Sequence, residues 1–145
     1  MGGLEEVTAV KNEFFTKFTF SPQLLNLIQD APPLLTPFGK YTLKIGSEVV
    51  VSQKIGLQVT SNPIILIDEI NGRKLVFITA EGFWKWKLFD YANNKNYLAF
   101  SELFSKLTQY LVLEEDKSKF RIDYKKQFSE NSKIYFEASL YNESY

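Results

Sequence analysis

The sequence predicts an α+β or α/β fold, with a mixed sheet whose central β-hairpin is covered by helices. Three observations carry that expectation. Residues 64–67 and 75–78 are unbroken apolar runs, the pattern of strands buried on both faces. Asn71-Gly72 lies between them, and both central positions of a type I′ turn need positive φ, which Asn and Gly tolerate. Over residues 97–113 apolar side chains recur every three or four positions, which marks an amphipathic helix suited to cover the hairpin. A sheet buried on both faces needs a layer on each side.

Composition narrows the function classes. A chain of 145 residues with 45% apolar and 16% aromatic content belongs with packed globular proteins. Seventeen basic residues balance seventeen acidic ones, so no net field draws nucleic acid or an anionic membrane. The chain has no Cys and no His. It therefore lacks a thiolate nucleophile, a cysteine zinc site, the usual general base and the commonest metal ligand. Neither a Ser-His-Asp nor a Cys-His triad can be assembled from it. No catalytic, cofactor-binding or metal residues are assigned, and no cofactor is expected. No apolar run reaches the ~18 residues of a membrane span, and Met1-Gly2-Gly3 is not a signal peptide. The chain as given reads as soluble, and the absence of Cys suits cytoplasm and periplasm alike.

Residues 4–12 are polar and weakly patterned, the profile of a loop or frayed lead-in. The Phe-rich residues 14–20 favour a strand or extended arm. Ser21-Pro22 marks a helix start, Ser as N-cap and Pro at the first helical position, with Leu24, Leu25 and Ile28 on one face. Ala31-Pro32-Pro33 stops that helix. Residues 34–39 read as an apolar connector, packed or offered to a partner. Alternation predicts a half-buried strand at 40–45, and Gly46-Ser47 turns the chain into another at 48–55. Residues 56–62 read as a loop or short edge strand closed by Pro63. After the hairpin, Glu81-Gly82 leads into Phe83-Trp84-Lys85-Trp86-Lys87-Leu88. Read as a helix, this places Trp84, Leu88 and Tyr91 on one face and Trp86 and Phe89 on another.

In the helix of residues 97–113 the stripe is Tyr97, Phe100, Phe104, Leu107 and Leu111, widened by Leu103 and Tyr110. Asn96 is its expected N-cap, and Glu102–Lys106 is a favourable i,i+4 pair. The charged run 114–119 is the expected domain boundary, dividing residues 1–116 from 117–145. Beyond it Phe120, Ile122 and Tyr124 alternate, as do Ile134, Phe136, Ala138 and Leu140. They read as the opening strands of a β-sandwich module.

The residues singled out as a possible binding site are Trp84, Trp86, Tyr91 and Glu81. The three aromatics, with Lys85 and Lys87 between them, suit a stacking surface for sugars, bases or a partner's cation. Core packing accounts for the same residues. Glu81 sits at a strand end beside Gly82, where α/β active-site residues gather, and equally where a carboxylate would cap the next helix. Asp68 and Glu69 are adjacent on a strand and point to opposite faces, so they cannot work as an acid–base pair. No glycine belongs to a dinucleotide or P-loop spacing.

The segment from Asn71-Gly72-Arg73-Lys74 to Glu81-Gly82-Phe83-Trp84-Lys85-Trp86-Lys87-Leu88 carries a family likeness. So do Phe100-Ser101-Glu102-Leu103, Gln109-Tyr110-Leu111 and Asp116-Lys117-Ser118-Lys119-Phe120-Arg121. Together they resemble the C-terminal part of the class I glutamine amidotransferase-like domain of large bacterial membrane-anchored proteins of the von Willebrand A or BatA-like kind. There a Gly-x-Trp-Arg-Trp motif precedes a helix and an immunoglobulin-like β module; here Lys85 stands where Arg is usual. The resemblance implies a partial flavodoxin-like sheet and a fragment whose earlier strands and nucleophile elbow lie upstream. It also implies an extracytoplasmic location, with contact to the membrane only through the parent. Where true amidotransferases carry His-x-Glu, this chain has Thr79-Ala80-Glu81-Gly82, without His. The expected role is non-catalytic, structural or partner-binding, with other domains of the parent or separate proteins as partners. Open strand edges add a tendency to homodimerise or swap strands. Two alternatives stand beside it: a small-ligand or carbohydrate site at Trp84, Trp86 and Tyr91, and a part of an amide hydrolase completed by residues outside this chain.

Overall fold

A computed structural model describes residues 3–113, 120–124 and 136–140. The chain divides into two compact units, Met1–Leu113 and Glu114–Tyr145. The first contains β1 (Leu4–Lys11), α1 (Pro22–Asp30), β2 (Leu34–Pro37), β3 (Glu48–Ile55), β4 (Gln58–Ile70), β5 (Arg73–Ile78), α2 (Phe83–Asn94) and α3 (Leu98–Val112). In the second, β6 (Phe120–Tyr124) pairs antiparallel with β7 (Phe136–Leu140). Their register sets Phe120 opposite Leu140, Ile122 opposite Ala138 and Tyr124 opposite Phe136, so the alternating apolar positions of the two strands coincide. Ile134 and the charged run 114–119 lie outside the described residues.

The first unit is α+β, built on a curled antiparallel sheet of order β2-β1-β3-β4-β5. The mixed sheet expected from the sequence is corrected: every described strand pair is antiparallel. For the β3–β4 and β4–β5 pairs connection length is the reason. Gly56-Leu57 and Asn71-Gly72 reverse the chain in two residues, and turns that short join only antiparallel neighbours. Asn71 at φ 52° and Gly72 at φ 74° give the positive pair that a type I′ turn requires.

The hairpin is not central either. β4 lies within the sheet, whereas β5 is its last strand. Burial follows position. Residues 63–68 of β4 are buried in succession, the signature of two covered faces. The similar run in β5 ends with Phe77 and Ile78 45% and 43% exposed. The curl carries the chain beyond β5 back to the opposite edge: Leu35 N donates to Glu81 O at 3.0 Å, and Glu81 N to Leu35 O at 2.9 Å.

Several elements depart from expectation. Residues 4–11 form β1, in the middle of the sheet; Val7 and Ala9 face the core, too few apolar positions to announce a strand. The connector at 34–37 is β2. Residues 40–45 are not a strand, and Ile45 is 98% exposed; Gly39 and Gly46, both at positive φ, flank that segment. Residues 14–20 form a loop in which Phe18 meets Phe15 and Phe20 at centroid distances of 4.8 and 5.7 Å. β4 continues through Pro63 because the β3–β4 register shifts around Val51 and Ser52, and such a bulge tolerates a residue without an N–H.

Helix α1 begins as its sequence requires. Ser21 Oγ accepts from Leu24 N at 3.2 Å, with Pro22 at the first position. Its buried face is Leu24, Leu27 and Ile28, with Leu25 turned outward. In α3 the N-cap position is Tyr97 rather than Asn96, whose Oδ1 accepts from Leu98 N at 2.9 Å. The buried stripe is Ala99, Leu103, Leu107 and Tyr110, rotated from the expected one, so Tyr97 and Leu111 are exposed. Helix α1 packs on β1, α3 packs on β5, and α1 meets both α2 and α3. One core joins these elements.

Candidate functional site on helix α2

The chain leaves the sheet at Glu81 and enters α2 through Gly82, at φ 102°. An L side chain would be strained there, and the glycine occupies the N-cap position without a side-chain cap. Glu81 is therefore not the cap: its main chain bridges to Leu35 and its side chain is exposed.

The helix separates its two tryptophans. Trp86 is 1% exposed. Its Nε1 donates to Pro32 O at 2.9 Å, and its ring meets Phe83 edge-on at 5.1 Å; Phe83 in turn meets Phe104 at 5.8 Å. Trp86 thus fastens α2 to the α1–β2 linker, and Phe83 extends that packing to α3. Trp84 is 64% exposed, on the same face as Leu88 at 57% and Tyr91 at 47%. These three are spaced i, i+4, i+7, which places them along one side of a helix. Of the aromatics singled out by sequence, only Trp84 and Tyr91 present a surface.

Residues less visible in the sequence complete the surroundings. Tyr91 stacks on Tyr97 with centroids 5.1 Å apart and planes inclined by 23°. The ammonium of Lys87 lies 5.0 Å from the Tyr97 ring centroid, within cation–π range. Lys85 points the other way, its Nζ 3.5 Å from Pro33 O. Asp90 is fully buried: Oδ2 accepts from Phe100 N at 3.0 Å and Oδ1 from Asn94 Nδ2 at 2.8 Å. Since Tyr97 supplies no side-chain cap to α3, Asp90 satisfies one of that helix's first-turn N–H groups from the neighbouring helix. Nothing in local sequence marks Asp90 for this role, because its partner lies across the α2–α3 loop.

Chemically, this face offers aromatic and aliphatic area with one cation beside it. Among the described residues no group of three His, Cys, Asp or Glu side chains is placed to hold a metal ion. Nor, among them, is any helix long and apolar enough to cross a membrane. No family model, curated protein or solved structure matches this chain. The outward face of α2 is accordingly read from its own geometry.

Proposed function

We propose that this chain is a non-catalytic, partner-binding module whose docking face is the outer side of α2. The observation that carries the proposal is the 64% exposure of Trp84 in line with Leu88 and Tyr91. A large aromatic left in water forgoes burial worth about 1.5–3 kcal/mol, and aligned exposed apolar side chains mark interaction surfaces more than isolated ones do. The resemblance to the amidotransferase-like domain of membrane-anchored bacterial proteins supplies the setting. In it the α+β unit and the β-sandwich module belong to a larger extracytoplasmic parent, and the face of α2 meets another domain of that parent or a separate protein.

The test exploits the different environments of the two tryptophans. Trp86 is buried already, so the part of any emission difference between this chain and the full-length parent that disappears with Trp84→Phe reports on Trp84. Docking predicts a blue shift and slower amide exchange along α2 in the parent, both lost with Leu88→Asp. Identical emission and exchange in chain and parent would refute it. A second reading, stacking of a sugar on Trp84 and Tyr91, draws on the same exposed rings; a glycan array with no Trp84-dependent hit would remove it.

A further inference from the structure

We propose that two copies of this chain associate through the outward edge of β5, which pairs with itself as antiparallel strands about a two-fold axis at Phe77. The residues are not those of α2, so this interface stands or falls separately from the docking face.

β5 is the last strand of the sheet and pairs with β4 on one side only. One bond fixes which of its main-chain groups face β4: Thr79 N donates to Ile64 O at 3.0 Å. Bonded pairs alternate along an antiparallel ladder, so Leu75, Phe77 and Thr79 turn their N–H and C=O groups towards β4. Those of Val76 and Ile78 point the other way, and among the described residues none bonds to them. The side chains show that this edge is open. Ile78 lies opposite Ile65 on one face of the sheet, and Phe77 lies opposite Leu66 on the other. Each is nearly half exposed, so solvent reaches the end of the strand from both faces. The usual guards of an edge are missing as well: residues 75–79 carry no charge and no proline, and the β4–β5 register runs without a bulge.

The register selects the occupant. An exposed ring flanked on either side by a residue with free main-chain groups is complementary to its own rotated copy, which is what a two-fold interface requires. With the axis at Phe77, Val76 exchanges N–H···O bonds with Ile78 of the second copy, and Ile78 does so with Val76 of the second copy. The two Phe77 residues then form the non-bonded pair between them, with Cα atoms ~4.5 Å apart, and each ring covers the other. Charge agrees with this register. It holds the Arg73 residues of the two copies at opposite ends, ~27 Å apart along the strands. Each lies instead towards the strand end at which Glu81 of the other copy is exposed. Neither Arg73 nor Glu81 has an ion-pair partner among the described residues. The contact is small, below the ~1,200 Å² of stable complexes, so a Kd of roughly 0.1–1 mM is expected.

Sedimentation equilibrium of the full chain, from about 0.01 to about 2 mM, is expected to show a reversible monomer–dimer equilibrium. Amide exchange at Val76 and Ile78 should slow over the same range, as their N–H groups become bonded. Phe77→Lys and Phe77→Glu each set like charges face to face at the axis and should weaken association by about tenfold or more. Far-UV circular dichroism checks that both variants fold. Mixed in equal amounts, the two variants should associate at least as well as the wild type, because opposite charges then meet. Leu88→Asp, on α2, should leave association unchanged. A wild-type chain that stays monomeric, or exchange at Val76 and Ile78 that does not slow with concentration, would overturn the proposal whether or not the variants fold. So would undiminished association of Phe77→Lys, or a mixture no better associated than either variant alone.

Discussion

Two tryptophans separated by a single residue have opposite roles here, and helix geometry is the cause. Trp86 has its ring in the core and its N–H on Pro32 O, so Trp86→Ala removes packing and a hydrogen bond together. It should cost about 3–5 kcal/mol, read from urea denaturation. Trp84→Ala removes a side chain already in water and should stay within about 0.5 kcal/mol; a larger loss would mean that Trp84 is structural. Glu102 makes a different residue-scale case. Desolvation pushes its carboxyl up, but Ser21 Oγ and N donate to it and the Lys106 ammonium lies 3.6 Å away. Together these hold its pKa below the ordinary 4.5. A carboxyl depressed in the folded state stabilises above its unfolded pKa, and the contribution is lost as pH falls through the folded value. Glu102→Gln should therefore flatten the acid limb of stability between about pH 6 and about pH 3. Urea midpoints that fall in parallel for variant and wild type over that range would show that Glu102 does not contribute.

At the scale of elements, the strongest local signal is the turn between β4 and β5. Gly72 sits at φ 74° with open space where a Cβ would be, so Gly72→Ala meets conformational strain and no clash. A left-handed alanine costs about 1–2 kcal/mol, to be measured as a fall in the urea midpoint; an unchanged midpoint would mean that the turn relaxes to another type. The same contrast between local and distant information explains which elements were legible in the sequence. The Ser21-Pro22 start of α1, the body of α3, strand β3 and the Asn71-Gly72 turn are written in neighbouring residues. β1 and β2 were hidden, because β1 turns only Val7 and Ala9 to the core and β2 is four residues ending in Pro37, so each owes its strand form to the partners beside it. The alternation at 40–45 misled for the converse reason: no described strand pairs with that segment. In α2 the periodicity sorted Trp84, Leu88 and Tyr91 from Trp86 and Phe89. It did not say which face is buried, since that depends on Pro32, Phe83 and Phe104 arriving from elsewhere in the chain. Asp90 and the Lys87–Tyr97 contact were out of reach for the same reason.

For the whole molecule, the charged run 114–119 and the division after Leu113 raise the question of what the first unit needs in order to fold. Its core cluster draws on residues from Val7 to Tyr110, and every strand of its sheet is paired within it. The Leu35–Glu81 bridge joins the two ends of the curled sheet. Domains of this size are stable by only about 5–15 kcal/mol, so losing even one core element would abolish cooperative unfolding. A chain ending at Leu113 loses none. It should retain a single sigmoidal urea transition, and a near-UV circular dichroism signal from Trp86 packed against Phe83. A broad transition, or loss of the near-UV signal with helix content intact, would show that Glu114–Tyr145 completes the fold. If the truncated chain behaves as expected, Trp84 remains exposed in it as in the longer chain. Any protection of Trp84 by an added partner would then come from outside this unit, as docking through α2 requires.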